Sequence, residues 1–158
     1  SLKGMQPSNF LLFLARLVEW NDAGSPGPYG FYLVGFLHLE EVVRDVRTRP
    51  GDDVLRRFGA NAHVRRGLSD PDLWDRFWLF GGSGRSRRFR RAVPFTRKLA
   101  DRVFTAADGS PWQWDGPRTD LQVIGSYTRS CRCVLDPALP GHAARAALLW
   151  DWISQHAG

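Results

Sequence analysis

The sequence predicts an α+β protein in which a small, mostly antiparallel β-sheet or barrel is flanked by helices and completed by a C-terminal amphipathic helix. Three observations support this class: two apolar runs separated by a glycine- and proline-rich loop, a basic glycine-rich segment between two further apolar runs, and a helical pattern at the C-terminus. At 158 residues, the chain is long enough to bury a core without disulfides. We therefore predict a single domain, residues 1–158.

The first two apolar runs predict a β-hairpin. Residues 10–18 read FLLFLARLV without glycine or proline, as in a buried strand. The loop NDAGSPGPYG follows Trp20, and FYLVGFLHLEEVV then forms a second apolar run. From Glu40, the spacing of three valines predicts a short helix that ends near Pro50 and Gly51: Val42, Val43 and Val46.

The composition of residues 51–74 predicts a loop-rich connection with a helical turn. Within this connection, the stretch NAHVRR contains several hydrogen-bond donors. If this stretch is extended, Asn61, His63 and Arg65 project to one side, where they can donate to a phosphate or a base edge. Alternatively, it is a surface loop in which His63 binds a neighbouring carbonyl.

The strongest signal is the basic segment WLFGGSGRSRRFRRAVPFTRK, residues 78–98. No acidic residue lies between Asp75 and Asp101, whereas eight arginine or lysine residues do. Such local positive charge indicates a polyanionic partner. The glycines permit close backbone approach, and Ser83 and Ser86 supply hydroxyls. If SRRFRR begins a helix, its N-terminus forms a phosphate site; alternatively, the segment is a solvated basic turn between two strands.

The remainder of the chain predicts a short strand at AVPFT, a turn-rich insertion, one or two strands near Tyr127, and the clearest helix at the C-terminus. In the insertion, Trp112 and Trp114 can clamp a flat base or cover the core. Cys131 and Cys133 are too few for a disulfide framework or a four-ligand zinc site. The helix begins near Pro140 and has an apolar stripe: Ala146, Leu149, Trp150 and Ile153.

Composition favours nucleic acid as the partner. The net charge is +6, aromatic residues make up 13% of the chain, and seven are tryptophans. Proteins hold nucleic acid by pairing cations with phosphates and stacking rings on bases. No apolar run is long enough to span a membrane, and the first residues do not resemble a signal peptide, so we expect a soluble cytoplasmic protein without a membrane partner.

Four stretches together resemble the bacterial nucleotide-modification-associated domains, most closely the third family of that set: FLLFLARL, FYLVGFLHLEEV, NAHVRR and WLFGGSGRSRRFRRAVPFT. More distantly, the first two are similar to strands of the PUA, EVE and ASCH group of small β-barrels. The resemblance covers residues from about Pro7 to Asp101. It implies a role in the synthesis, reading or restriction of modified bases. Matched by position, it implies a set of polar site residues: Asn61, His63, Arg66, Ser83, Arg85, Ser86 and Arg87.

Three hypotheses follow. The first is a module that binds nucleic acid, DNA in preference to RNA, and recognises a modified base within a bacterial modification, restriction or defence system. It would work with an effector nuclease or modification enzyme. Its predicted binding residues are Asn61, His63, Arg65, Arg66, Ser83, Arg85, Ser86, Arg87, Arg88 and Arg90. Its predicted base-stacking residues are Trp20, Tyr29, Trp112, Trp114 and Tyr127.

The second hypothesis is an enzyme that acts on a nucleotide or modified base, with His63 as general acid or base. The third is a protein–protein interaction module. The sequence favours the first, because it shows no nucleophile–base pair, no metal-ligand spacing and no cofactor motif. We therefore expect no cofactor and no metal, and the sequence favours a binding function over an enzymatic one.

Overall fold

The computed structural model describes residues 2–20, 22–105 and 135–158. Within them, a four-stranded sheet and four α-helices confirm the α+β class and the mostly antiparallel sheet. The strands are β1 (Phe10–Trp20), β2 (Pro26–Val46), β3 (Phe77–Gly82) and β4 (Arg87–Pro94); the helices are α1 (Asp52–Phe58), α2 (Ala62–Ser69), α3 (Arg97–Val103) and α4 (His142–His156), with 3-10 turns at Leu2–Gly4 and Pro71–Leu73.

The long strand β2 is the centre of the sheet, because β1, β3 and β4 all pair with it. Its pairing with β3 is antiparallel, and the register shifts between Leu39 and Glu41 and again between Val43 and Val46. Asp45 lies in the second irregularity with a φ of 52°, in the left-handed region. The hairpin predicted for the first two apolar runs is confirmed. The burial expected for β1 is wrong, because none of its residues is buried.

The helix predicted from Glu40 onward is wrong, because β2 continues to Val46. The spacing of Val42, Val43 and Val46 also suits a strand, since β-branched residues favour extended backbone. Val42 and Val43 pair with Phe80 and Leu79 of β3, which lies more than 30 residues later in the chain. This long-range pairing outweighs the local helical spacing.

The described residues form two compact units. Unit 2 comprises Gly4–Leu11 and Phe36–Arg87. Its core joins β2 and β3 to α1 and α2 through Val46, Phe58, Val64, Trp74, Phe77 and Leu79. The loop-rich connection predicted for residues 51–74 is therefore wrong, since it contains two α-helices.

Unit 1 comprises Ser1–Lys3, Leu12–Gly35 and Arg88–Gly158. Its core packs α3 and α4 against residues of β2 and β4, with Val93, Ala100, Val103 and Ile153 at most 1% exposed. The predicted C-terminal helix is confirmed as α4, with Leu149 and Ile153 buried. Helix α3 replaces the first part of the predicted turn-rich insertion, and Thr96 caps it by accepting a hydrogen bond from Leu99 N–H at 3.2 Å. The prediction of a single domain stays a prediction.

Candidate nucleic-acid interface

The glycine-rich segment forms a tight turn between β3 and β4. Ser86 N–H donates to the Ser83 carbonyl at 2.9 Å, closing a four-residue turn. The arginine run after it belongs to strand β4, so the predicted helix start at SRRFRR is wrong. The alternative geometry, a basic turn between two strands, is the one observed.

His38 of β2 fixes this turn through its backbone and its ring. Its carbonyl accepts from Ser83 N–H at 2.8 Å, and its N–H donates to Ser86 Oγ at 3.0 Å. Its ring atom Nδ1 lies 2.8 Å from Ser83 Oγ, which also accepts from Arg85 N–H at 3.2 Å. The turn that precedes the arginine run is therefore held to the sheet at several points.

Close packing explains the glycine at position 82. A Cβ on Gly82 would lie 2.3 Å from Leu37 Cδ1 and 2.5 Å from Ser86 Oγ. Gly84, by contrast, has no heavy atom within 4 Å of such a Cβ. Neither glycine has a positive φ. The lack of a side chain at Gly82 therefore lets the end of β3 pack against Leu37 of β2 and the Ser86 hydroxyl.

Arg85 and Arg87 stack on a pair of phenylalanine rings. The Arg85 guanidinium carbon lies 5.7 Å from the centroid of the Phe10 ring, and the Arg87 guanidinium carbon lies 5.7 Å from that of Phe36. The two rings meet edge to face with centroids 5.6 Å apart, and His38 lies 4.7 Å from Phe10. We call these five residues the arginine–ring cluster. Both arginines are exposed, whereas Phe36 is buried.

The two arginines of the cluster lack the carboxylate partners that some other arginines of unit 2 have. Arg57 pairs with Glu41 at 2.9 Å and with Asp53 at 3.1 Å. Among the described residues, no carboxylate forms an ion pair with Arg85 or Arg87. Their charge is therefore available to an external anion.

Asp45 shows the effect of such pairing on a carboxylate. Hydrogen bonds from Arg47, at 2.7 Å, and from Arg76, at 3.2 Å, hold the pKa of Asp45 below its ordinary value. The same carboxylate raises the pKa of Arg47. Both members are exposed, so the pair adds little stability.

The remaining arginines predicted to bind phosphate, Arg88 and Arg90, are exposed residues of β4 in unit 1. Successive side chains of a strand point to opposite faces. Phe89 and Val93, between and after them, belong to the unit 1 core. Arg88 and Arg90 therefore lie on the face opposite that core.

The NAHVRR stretch forms a helix, so the expectation of an extended stretch with three donors on one side is wrong. Asn61 caps α2, since its side chain accepts from His63 N–H at 2.9 Å. His63 stacks on Phe77 with centroids 5.2 Å apart. Arg65 and Arg66 are exposed on α2. Within the described part of unit 2, no hydrogen bond, ion pair or ring contact joins these four residues to the arginine–ring cluster.

Two of the predicted base-stacking residues lie on the β1–β2 hairpin of unit 1. Trp20 is 71% exposed and Tyr29 is 46% exposed. The Arg16 guanidinium carbon lies 4.3 Å from the centroid of the Tyr29 ring. The other three, Trp112, Trp114 and Tyr127, lie outside the described residues, as do Cys131 and Cys133.

Sequence reasoning missed His38, Phe10 and Phe36. A signal for His38 was present, because it is the single imidazole in the apolar run FYLVGFLHLEEVV. Nothing local marks Phe10 or Phe36, since both resemble ordinary core residues of a strand. Their role depends on contacts with arginines that lie about 50 and 75 residues later in the chain.

The described ranges contain neither a membrane-spanning helix nor a cluster of metal ligands. No helix in residues 2–20, 22–105 or 135–158 is long and apolar enough to cross a membrane. In the same ranges, no three His, Cys, Asp or Glu side chains gather as metal ligands. Compared with known protein families, curated proteins and solved structures, the chain matches none.

Proposed function

We propose that the protein is a nucleic-acid-binding module whose phosphate contacts include Arg85 and Arg87. The observation that carries this proposal is the arginine–ring cluster, in which two exposed arginines contact neighbouring phenylalanine rings and have no carboxylate partners among the described residues. Arginine is well suited to phosphate, since its planar fork donates two parallel hydrogen bonds. The anchored Ser83–Ser86 turn lowers the entropic cost of presenting both groups.

The finer proposal is recognition of a modified base in DNA, in preference to RNA, within a bacterial modification, restriction or defence system. It is supported by the resemblance to nucleotide-modification-associated domains and by the exposed rings of Trp20 and Tyr29. An indole or phenol ring can stack on any base, so selectivity for a modification requires further polar contacts. An effector nuclease or modification enzyme would then act on the recognised site.

The test is fluorescence-anisotropy titration of labelled DNA across a salt series. We compare wild-type protein with Arg85→Gln/Arg87→Gln, and with Arg49→Gln/Arg57→Gln as a charge-matched control. The control arginines are exposed but paired with carboxylates. For duplex DNA, two lost phosphate contacts reduce the log–log salt slope by about 1.8, at about 0.9 each.

The control should keep the wild-type slope. An unchanged slope in Arg85→Gln/Arg87→Gln would remove the cluster from the interface. Absence of binding by the wild-type protein would instead favour the protein–protein interaction module.

The hydrogen bond between His38 and Ser83 favours a second candidate, an enzyme that cleaves phosphodiesters. The Ser83 hydroxyl can donate to Nδ1 when the imidazole proton is on Nε2. This is the geometry of a nucleophile beside its base. It replaces His63, whose ring stacks on Phe77.

In this reaction, the Ser83 Oγ–phosphorus bond forms as the hydroxyl proton passes to His38, and the bond from phosphorus to one ester oxygen breaks, with that proton going to the departing oxygen. Water then cleaves the Ser83 Oγ–phosphorus bond of the seryl phosphodiester, which releases a phosphomonoester and restores the serine. The probe is bis(p-nitrophenyl) phosphate, with release of p-nitrophenolate as the readout. Ser83→Ala should reduce turnover at least about 100-fold, whereas Ser69→Ala on α2, whose hydroxyl donates to the Arg65 carbonyl, should keep it. No turnover by the wild-type protein would reject this candidate.

A further inference from the structure

The two guanidiniums of the arginine–ring cluster belong to exposed side chains. Each lies over its own ring, at 5.7 Å from the ring centroid. We propose that the cluster binds single-stranded nucleic acid, with unpaired bases stacked on the outer faces of Arg85 and Arg87. This inference rests on the proposed function and names the form of nucleic acid that the site accepts.

Burial of the phenylalanine rings makes the arginines, and not the rings, the stacking surface. Phe36 is 9% exposed and Phe10 is half-buried, so neither ring offers an open face to a base. A base that approaches the cluster meets the guanidiniums first, because both arginines are exposed. Guanidinium planes are an established stacking surface for splayed bases.

The rings also arrange the guanidiniums before a ligand binds. Phe10 and Phe36 are in edge-to-face contact with centroids 5.6 Å apart, so each guanidinium lies over one ring of a contacting aromatic pair. The backbone beneath Arg85 is held by its N–H bond to Ser83 Oγ at 3.2 Å. Such preorganisation improves affinity only for a ligand that uses the stacked arrangement.

A single strand uses that arrangement, whereas a duplex does not. In a duplex, both faces of each base are covered by neighbouring pairs, so Arg85 and Arg87 can reach only phosphates or base edges. In a single strand, each base has a free π-face, and stacking on a cationic plane adds to the phosphate contacts. We therefore expect the protein to prefer a single strand to a duplex of the same sequence.

The deciding variant is Arg85→Lys/Arg87→Lys, which keeps both positive charges and removes both planar guanidiniums. The ligands are a fluorescein-labelled 15-nucleotide single strand and the duplex made from it, titrated at one fixed salt concentration. Wild-type protein should bind the single strand about tenfold more tightly than the duplex. The lysine variant should lose this preference by weaker single-strand binding while its duplex affinity stays close to wild type.

A second readout reports stacking directly. The single strand carries 2-aminopurine at its centre, and its fluorescence should be quenched on binding to wild-type protein but not to the lysine variant. Leu68→Ala, an exposed substitution on α2, serves as a control for general surface changes and should behave as wild type.

The outcomes separate this inference from the proposed function. Equal affinity for single strand and duplex, or an unchanged single-strand affinity in the lysine variant, would show a surface that contacts phosphate alone; the inference would fail and the proposed function would stand. If the wild-type protein bound neither ligand, both would fail. Quenching that persists in the lysine variant would place the stacked base elsewhere and overturn the inference.

Discussion

Replacement of Gly82 by alanine places a methyl group where the structure has no room for one. The new Cβ would lie 2.3 Å from Leu37 Cδ1, 3.0 Å from Leu37 Cγ and 2.5 Å from Ser86 Oγ. Relief of these contacts requires Leu37 to change rotamer and the Ser86 hydroxyl to move. Overpacking of this kind costs about 1–3 kcal/mol.

Movement of the Ser86 side chain destabilises the fold further, because its hydroxyl forms hydrogen bonds with the backbone of His38. Ser86 Oγ accepts from His38 N–H at 3.0 Å and donates to the His38 carbonyl at 3.3 Å. Weakening these bonds costs a fraction of the roughly 0.5–1.5 kcal/mol that each contributes. We therefore expect Gly82→Ala to lower the free energy of unfolding by about 2 kcal/mol.

The measurement is urea denaturation followed by tryptophan fluorescence. With a slope of about 2 kcal/mol per molar urea, a loss of this size shifts the midpoint down by about 1 M. The matched control is Gly84→Ala in the same turn, since its Cβ meets no heavy atom within 4 Å and its φ is not positive. This variant should be as stable as wild type or slightly more stable, because alanine restricts the unfolded chain.

The same two variants, Gly82→Ala and Gly84→Ala, also test whether the packing of the turn affects DNA binding. If the turn positions Arg85, Gly82→Ala should weaken DNA binding while Gly84→Ala should not. Equal urea midpoints for the two alanine variants would refute the packing argument. Equal DNA affinities together with unequal midpoints would show that the turn can shift without disturbing the interface.

Three further changes test other local interactions by the same unfolding assay. Asn61→Ala removes the cap of α2 and should cost about 1 kcal/mol, whereas Asn61→Asp should retain most of the stability. His142→Ala should cost about 3 kcal/mol, because this 2%-exposed ring bonds Thr105 Oγ1 at 3.3 Å and accepts from Asp136 N–H at 3.1 Å. Because folding lowers the pKa of Asp45, its ionised carboxylate stabilises the folded state fully above pH 3.8, its ordinary pKa. This stabilisation is lost as the pH falls through the lower pKa of the folded state. Asp45→Asn should therefore lose less of its free energy of unfolding than wild type does between roughly pH 5 and pH 2.

The elements that the sequence predicted well are those whose local pattern agrees with their tertiary contacts. Strand β1 forms where the sequence has a nearly continuous apolar run, although none of its residues is buried, and α4 has an apolar stripe whose residues Leu149 and Ile153 are buried. Elsewhere, pattern and packing disagree. Helix α3 is only seven residues long, and its three apolar residues, Leu99, Ala100 and Val103, are all buried in the unit 1 core. About two turns are too short for the apolar spacing to distinguish a helix from a turn-rich segment.

The candidate site was predicted in its charge but not in its construction. The acid-free arginine run indicates a polyanion from sequence alone. The contacts that shape the site, however, join residues distant in the chain: His38 to Ser83, and Phe36 to Arg87. Such contacts follow from strand pairing and have no local signature. Sequence reasoning therefore located the cations without finding the ring platform or the imidazole beside them.

Strand geometry decides which arginines of the run can act together. In a helix, residues three or four apart share a face, so Arg87, Arg90 and Arg91 would form one cationic surface. In strand β4, alternation separates neighbours, and Arg88 and Arg90 share the face opposite Phe89. Replacing Arg88 and Arg90 together by glutamine therefore tests the exposed face of β4 in unit 1, separately from the Arg85→Gln/Arg87→Gln pair of unit 2. If both variant pairs reduce the salt slope, the nucleic acid contacts more of the protein than the arginine–ring cluster. If only the Arg85→Gln/Arg87→Gln pair reduces it, Arg88 and Arg90 lie outside the interface.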